Sequence, residues 1–277
     1  MSRNQRKIAG PVASTPYILF TDKLNKPAKL KKRRDGRKDD EQRQIYVKLG
    51  VTSQAKGSAY LEMGQTKVIV SVLDPREIPK QNRKSLDGEI QCELKYAPFA
   101  CQGKSSAELG ANEKSLSIAL KKSLLPAVCR HEFTNFQIDI LIYVLQDDGS
   151  VLSAAINCAG LALIDGGIPM YDIITSTTVG VQGDRILLDP TASEEDICKG
   201  SSCFNAEHGI VVAARLESHA QTTEFYHIGY ILPEKFKKIS EYIFSKNEDI
   251  AKIVKQALVQ KVKEHVVKKG NKDEASN

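Results

Sequence analysis

Thirty-two consecutive residues, Phe136–Gly167 (FQIDILIYVLQDDGSVLSAAINCAGLALIDGG), restrict what this chain can fold into more than any other stretch. In the first part Phe136, Ile138, Ile140, Ile142 and Val144 alternate with Gln137, Asp139, Leu141, Tyr143 and Leu145. That two-residue period predicts a central strand, buried on one face and largely covered on the other. Asp147, Asp148 and Gly149 then carry turn chemistry, and Ser150 is placed to cap a following helix. In that helix Ala154, Ala155, Ala159, Gly160 and Ala162 present little bulk, so it can lie close against a sheet. A strand-to-helix junction aims backbone N–H groups outward and offers a seat for an anion. The side chains at its mouth, Ser150, Val151, Leu152 and Ser153, include no cation.

A chain of 277 residues that is 41% hydrophobic can bury a sizeable core. No apolar run approaches the roughly 18–20 uncharged residues of a membrane helix, and the opening MSRNQRKIAG lacks the apolar region of a signal peptide. A soluble, intracellular protein with no membrane partner is expected. Cysteines 92, 101, 129, 158, 198 and 203 show neither CxxC spacing nor His pairing suited to zinc, and read as reduced core thiols.

The net charge of +6 is unevenly spread. Residues 1–38 hold twelve Lys or Arg against Asp22 and Asp35, residues 234–277 are also basic, and the middle is net acidic. A free-standing RNA enzyme surrounds its cleft with cations, because phosphate contacts supply most of the non-specific affinity. An acidic body with basic arms suits a protein that meets RNA along one edge, or together with partners. A basic arm is equally often a solvated tail or an import signal.

Residues 1–33 lack periodicity and are expected to form a basic extension whose Tyr17–Phe20 patch (YILF) can dock elsewhere. A single domain over 34–268 and a polar tail over 269–277 complete the division. Ile45, Val47, Leu49 and Val51 alternate, GSAYLEMGQTKVIVSVLDP gives two strands around Gly64-Gln65, and Ile90, Cys92, Leu94 and Tyr96 mark another strand. Residues 78–88 read as a charged loop. Residues 106–125 switch to helical period, with Leu109, Leu116, Ala119, Leu120 and Ser123 or Leu124 on one face and Pro126 as the stop. After the central unit come two strands about Gln182-Gly183-Asp184, an acidic loop PTASEED, and two strands over 209–216 and 224–231. A helix from Pro233 follows, its stripe running Ile239, Ile243, Ile250, Ile253, Val254, Ala257, Leu258, Val262 and packing on the sheet. No GxGxxG or GxxxxGK[ST] follows a strand, so no nucleotide cofactor is expected. The fold class is α+β, mixed sheets packed with helices in one domain.

Several blocks, in this order, resemble the RNase PH family: RRDGR (33–37), GSAYLEMGQTKVIVSVLDPRE, SLSIALKKSLLPAV (115–128), QDDGSVLSAAINCAGLAL and LLDPTASEED (187–196). The likeness spans about 33–262. AKGSAYLEMGQTKV, MYDI and LLDPT narrow it to one non-catalytic ring subunit of the eukaryotic RNA exosome. The resemblance implies an RNase PH-like fold of the ribosomal protein S5 domain 2-like type.

Active members of that family cleave RNA from its 3′ end by phosphorolysis, in which inorganic phosphate attacks the last phosphodiester and releases a nucleoside diphosphate. Two anions must meet, so fixed cations and acid–base or metal-binding groups are needed. Active relatives carry an Arg in a GTR-type turn at the start of the inner helix, and Leu152 stands at that position here. Asp196 falls where one family carboxylate sits. The second falls near Glu207 or His208, where no Asp is present. A lone His beside an apolar strand is usually a hydrogen-bonded structural residue. Asp184, Asp189, Glu194, Glu195, Asp196 and Glu207 form no preformed cage, so no metal is expected.

The expectation is therefore a non-catalytic structural subunit with a degenerate site at Leu152, Asp196 and His208. It would support 3′-to-5′ RNA processing and degradation, including rRNA maturation and turnover of mRNA and non-coding RNA, and help to line an RNA channel. As implied by the resemblance, its partners are other RNase PH-like subunits in a six-membered ring, S1/KH-type cap subunits, an associated hydrolytic exoribonuclease and RNA. Its location would be the nucleus, nucleolus and cytoplasm. Arg33, Arg34, Arg37, Lys38, Arg83 and Lys84 are the candidate phosphate contacts, although an internal Asp35–Arg37 salt bridge is at least as natural. Two other readings stay open. One is an active phosphate-dependent 3′-to-5′ exoribonuclease using Asp196 and Glu207 with a partner's arginine; the other is a basic-armed RNA-binding domain outside a ring.

Overall fold

The structure is a computed structural model, and it describes residues 33–78, 87–100, 106–199 and 207–274. The strand expected over the first part of the 136–167 stretch is β6, Phe136–Gln146, and it is the hub of the larger sheet. Its inward residues Ile138, Ile140, Ile142 and Val144 are fully buried and the alternate ones partly covered, as the sequence period predicts. Strands β1 (Ile45–Leu49), β2 (Gly57–Met63) and β3 (Thr66–Val72) form an antiparallel meander that joins β6 through β3. The two-residue β4 (Arg76–Glu77) extends that pairing along the same edge of β6. On the other edge β5 (Glu89–Tyr96) lies parallel to β6, so the sheet is mixed. A second sheet is wholly antiparallel, in the order β10-β9-β7-β8: β7 is Ile174–Gln182, β8 Arg185–Leu188, β9 His208–Leu216 and β10 Gln221–Tyr230.

Two helices lie between the sheets. The first, α1 (Ser106–Leu124), buries Leu116, Ala119, Leu120, Ser123 and Leu124, with Leu109 packed at the edge of the core. It rests on β5 and touches β10. The inner helix α2 (Val151–Asp165) packs on β2 and β3 on one side and on β7 on the other, and every residue from Val151 to Leu163 is buried. Its small residues make this possible. A Cβ at Gly57 would stand 2.3 Å from the Gly166 backbone nitrogen, so only glycine lets β2 pass the end of α2 this closely.

Two elements differ from expectation. PTASEED is not a loop: Ala192–Lys199 forms a short helix, α3. Thr191 and Glu194 supply the reason, since the Glu194 carboxylate reaches back 2.9 Å to accept from the Thr191 N–H, one half of a capping box. The terminal helix α4 runs from Pro233 to Glu274, past the expected boundary at 268. Ile239, Ile243, Ile250 and Val254 are buried, as α4 packs on β7 and β9; Ile253, between the buried Ala251 and Val254, faces away from that contact, and Val262 is exposed where the helix outruns the sheet. Residues 1–32 with Tyr17–Phe20, most of the 78–88 loop, and Cys101 and Cys203 lie outside the described residues. Cys92, Cys129, Cys158 and Cys198 are buried free thiols.

Candidate functional site

The mouth of α2 is built by an unusual backbone. Gly149 and Ser150 both adopt positive φ, 83° and 55°, to swing the chain from β6 into the helix. A Cβ at Gly149 would fall 2.5 Å from the Pro190 carbonyl oxygen. Ser150 occupies the N-cap position without capping: its hydroxyl donates to the Pro190 carbonyl at 3.1 Å instead. The cap expected from the sequence is lost because the left-handed backbone turns the side chain toward the Leu188–Thr191 connection.

The anion seat is present, and the protein fills it with its own carboxylate. The Ser150 N–H donates to Glu195 Oε1 at 2.5 Å, and Glu195 Oε2 is held 2.6 Å from Lys199 Nζ one turn along α3. A cleft of about 70 Å³ opens beside this contact, bordered by Tyr96, Asn112, Asp147, Leu152, Lys199 and Tyr226 among others. Leu152 faces it as an almost fully buried aliphatic side chain. Among the described residues the wall carries two carboxylates, Asp147 and Glu195, and one ammonium, Lys199, which is already paired. Among those residues an incoming phosphate would have to displace Glu195 and would meet no guanidinium on this wall. Behind the cleft, burial pushes the Asp148 carboxyl up against the pull of Arg43.

The remaining acidic candidates are mostly committed to internal cations. Arg43 holds Asp189 at 2.6 and 2.8 Å, and donates to the Thr66 hydroxyl and to the Asp148 and Gly149 carbonyls, so it ties β8 to the α2 turn. Lys235 holds Glu207 at 2.7 Å and lies 3.7 Å from Asp184. The hydrogen bond from Lys235 keeps the Glu207 carboxyl below its usual range. Among the described residues no group of three or more His, Cys, Asp or Glu side chains is arranged to hold a metal ion. Asp196 lies exposed on α3 and His208 half-buried at the start of β9, where it pairs with Tyr230 across the sheet.

The proposed phosphate contacts divide. Arg33 is corrected outright: it is 4% exposed, its Nε and Nη2 each lie 3.0 Å from the Glu194 carboxylate, and Nη2 also donates to the Leu188 carbonyl at 2.7 Å. A guanidinium so enclosed is structural. Arg37 is bound to Asp35 at 2.5 Å, the internal bridge weighed above, and donates to the Glu41 and Asp189 carbonyls. Arg34 and Lys38 remain exposed. Arg83 and Lys84 lie outside the described residues. The sequence reading missed Arg43, and weighed Glu195 only as one of several acidic candidates for a metal. A Thr-x-x-Glu pattern at 191–194 was available to reveal α3, and with it the placement of Glu195.

Comparison with known proteins agrees with this architecture. Residues 41–169 match domain 1 of the 3′ exoribonuclease family, RNase PH. The human exosome complex component MTR3 is 34% identical over 213 residues, 71% of this chain and 75% of that protein. The crystal structure of rice (Oryza sativa) Rrp46 superposes with a TM-score of 0.68 at 21% identity, covering 82% of this chain and all of that one. A chain of the Archaeoglobus fulgidus exosome with RNA bound to the active site superposes with a TM-score of 0.68 at 22% identity, covering 85% and 95%. Two mixed and antiparallel sheets around a buried small-residue helix, a matched family domain, and a third of the residues shared across three quarters of a relative together establish that this chain belongs to the RNase PH family.

Proposed function

We propose that the protein is a catalytically silent ring subunit of an exosome-type assembly, serving 3′-to-5′ RNA processing and degradation through its partners. One observation carries the silence. In this reading an attacking phosphate would be held at the α2 mouth, and its support is that Glu195 lies there, fastened by the Ser150 N–H and Lys199. The adjacent position 152 offers an aliphatic side chain. Phosphorolysis brings two anions together, and a fixed carboxylate at that point raises the barrier that a catalyst must lower. The ring role is supported by the likeness to exosome components, whose names place them in such complexes. In this reading the neighbours are RNase PH-like subunits, with S1/KH-type caps, a hydrolytic nuclease and RNA in the same particle. The sites of action are nucleus, nucleolus and cytoplasm, the substrates include rRNA precursors and mRNA, and Arg34 and Lys38 are available to meet phosphates along the channel.

The test is direct. The purified protein, alone and in complex with its ring neighbours, is given 3′-labelled RNA with and without inorganic phosphate, and nucleoside diphosphates are measured. RNA retention without phosphate-dependent release supports the proposal. Release of diphosphates that disappears with Asp196→Ala would establish the active exoribonuclease in its place.

A further inference from the structure

Strand β1 is the outermost strand of the larger sheet, pairing among the described residues with β2 alone. The register shows which backbone groups are left over. The Gly64 N–H donates to the Gln44 carbonyl and the Gly50 N–H to the Ser58 carbonyl, so the even-numbered residues bond to β2. In an antiparallel ladder bonded and non-bonded positions alternate. Ile45, Val47 and Leu49 therefore aim their N–H and C=O groups away from β2, toward the free edge. Their side chains are only half-buried, whereas the inward residues of β2 and β3 are fully buried.

What faces this edge is the overhanging half of α4. Between them runs a groove of about 630 Å³ lined by every β1 residue and Gly50, and by Ile253, Gln256, Ala257, Gln260, Lys261 and Glu264. A second depression of about 590 Å³ continues it under the helix past Leu49, Lys56, Leu258, Val262 and Val266. Edge strands are usually blunted by proline, bulges, charged side chains or close cover; β1 carries neither proline nor a bulge, its one charged residue is the exposed Lys48, and α4 stands off from it across the groove. An open strand edge walled by a helix with exposed aliphatic side chains accepts one class of guest, an extended polypeptide that adds a strand and inserts alternate side chains beneath it. Lys48 and Lys56, which make no ion pair among the described residues, outnumber the groove's one carboxylate without an ion pair, Glu264, and leave the rim net positive.

We propose that the β1–α4 groove is a strand-addition site for an extended segment of another polypeptide, apolar at alternate positions and acidic between them. The site lies apart from the α2 mouth and does not rest on the reading of function above. The guest strand bonds to the main chain of Ile45, Val47 and Leu49. Its apolar residues lie against Ile45, Val47, Leu49 and Ala257, and its carboxylates meet Lys48 and Lys56.

The experiment uses the whole chain and two labelled heptapeptides, Glu-Val-Thr-Val-Glu-Val-Thr and the same sequence with Lys for Glu. Saturable binding of the acidic peptide, about tenfold tighter than the basic one, is expected, with slowed hydrogen exchange at the Ile45, Val47 and Leu49 amides. Val47→Pro removes one free donor without touching the β1–β2 ladder and should abolish binding. Should that variant misfold by circular dichroism, Lys48→Glu with Lys56→Glu serves instead and should reverse the preference between peptides. Absence of saturable binding, unchanged affinity in both variants, or protection of these amides by self-association in sedimentation would each overturn the proposal.

Discussion

Replacing Arg33 by Met isolates the strongest internal commitment of the chain's first described residues. The guanidinium loses two contacts of 3.0 Å to a carboxylate that is itself about as buried as its partner, along with donors to the Leu188, Asp189 and Lys38 carbonyls. Removing one member of a buried pair strands the other charge, which costs roughly 3–5 kcal/mol, far more than the pair contributes against an apolar replacement. For a chain of this size each kcal/mol moves Tm by about 2–4 °C, so differential scanning calorimetry should record a fall of about 6–20 °C. Adding Glu194→Gln neutralises the stranded carboxylate while leaving an oxygen to accept from the Thr191 N–H. The double variant should regain roughly half of the loss, because the Leu188 and Asp189 carbonyls still lack their donor. A fall below about 1 kcal/mol for Arg33→Met, or a double variant as unstable as the sum of the singles, would refute the account of Arg33 as a buried structural cation. It would also reopen its place among the RNA contacts.

The other expected outcomes follow from single features. Gly149→Ala places a methyl group against the Pro190–Ala192 backbone at a positive φ, and should cost at least about 2 kcal/mol in urea melts. Burial pushes the Cys92 and Cys198 thiols up to about 12, so N-ethylmaleimide at pH 7 should label neither until denaturant is added; peptide mapping checks this. Hydrogen bonds from Tyr242 and Lys246 hold the Asp40 carboxyl below its usual value of 3.8. That contact's contribution is present above the unfolded value and lost as pH falls through the lower folded one. Exchange at amides near Asp40 should accelerate below about pH 4 in the native protein, and Asp40→Asn should remove the dependence.

The parts of the molecule legible in the sequence are those held by local period. β6 and α2 announce themselves because Ile138, Ile140, Ile142 and Val144 alternate and the alanines that follow permit close approach; α1 does so through Leu116, Leu120 and Leu124. What stayed hidden depends on partners far along the chain. RRDGR reads as a solvated basic run, yet Arg33 finds its carboxylate 161 residues away. PTASEED reads as a solvated acidic loop for the same reason. The aliphatic Leu152 at the α2 mouth was visible in the sequence, but the carboxylate beside it was not: Glu195 reaches that mouth only because α3 forms and turns it inward. For α4 the apolar stripe located the helix and overstated its packing, since periodicity cannot tell where the supporting sheet ends.

The pairing of Arg33 with Glu194 and of Arg43 with Asp189 has a practical bearing on where this chain can be cut or joined. Both guanidiniums lie upstream of β1, and both grip the segment between β8 and α3, so the beginning of the domain acts as a latch on its second half. A shortened protein starting at Arg33 keeps both rivets, whereas one beginning ten residues later releases Glu194 without a counter-ion. A fluorophore or affinity handle placed between Arg33 and Arg43 would therefore pry the latch open.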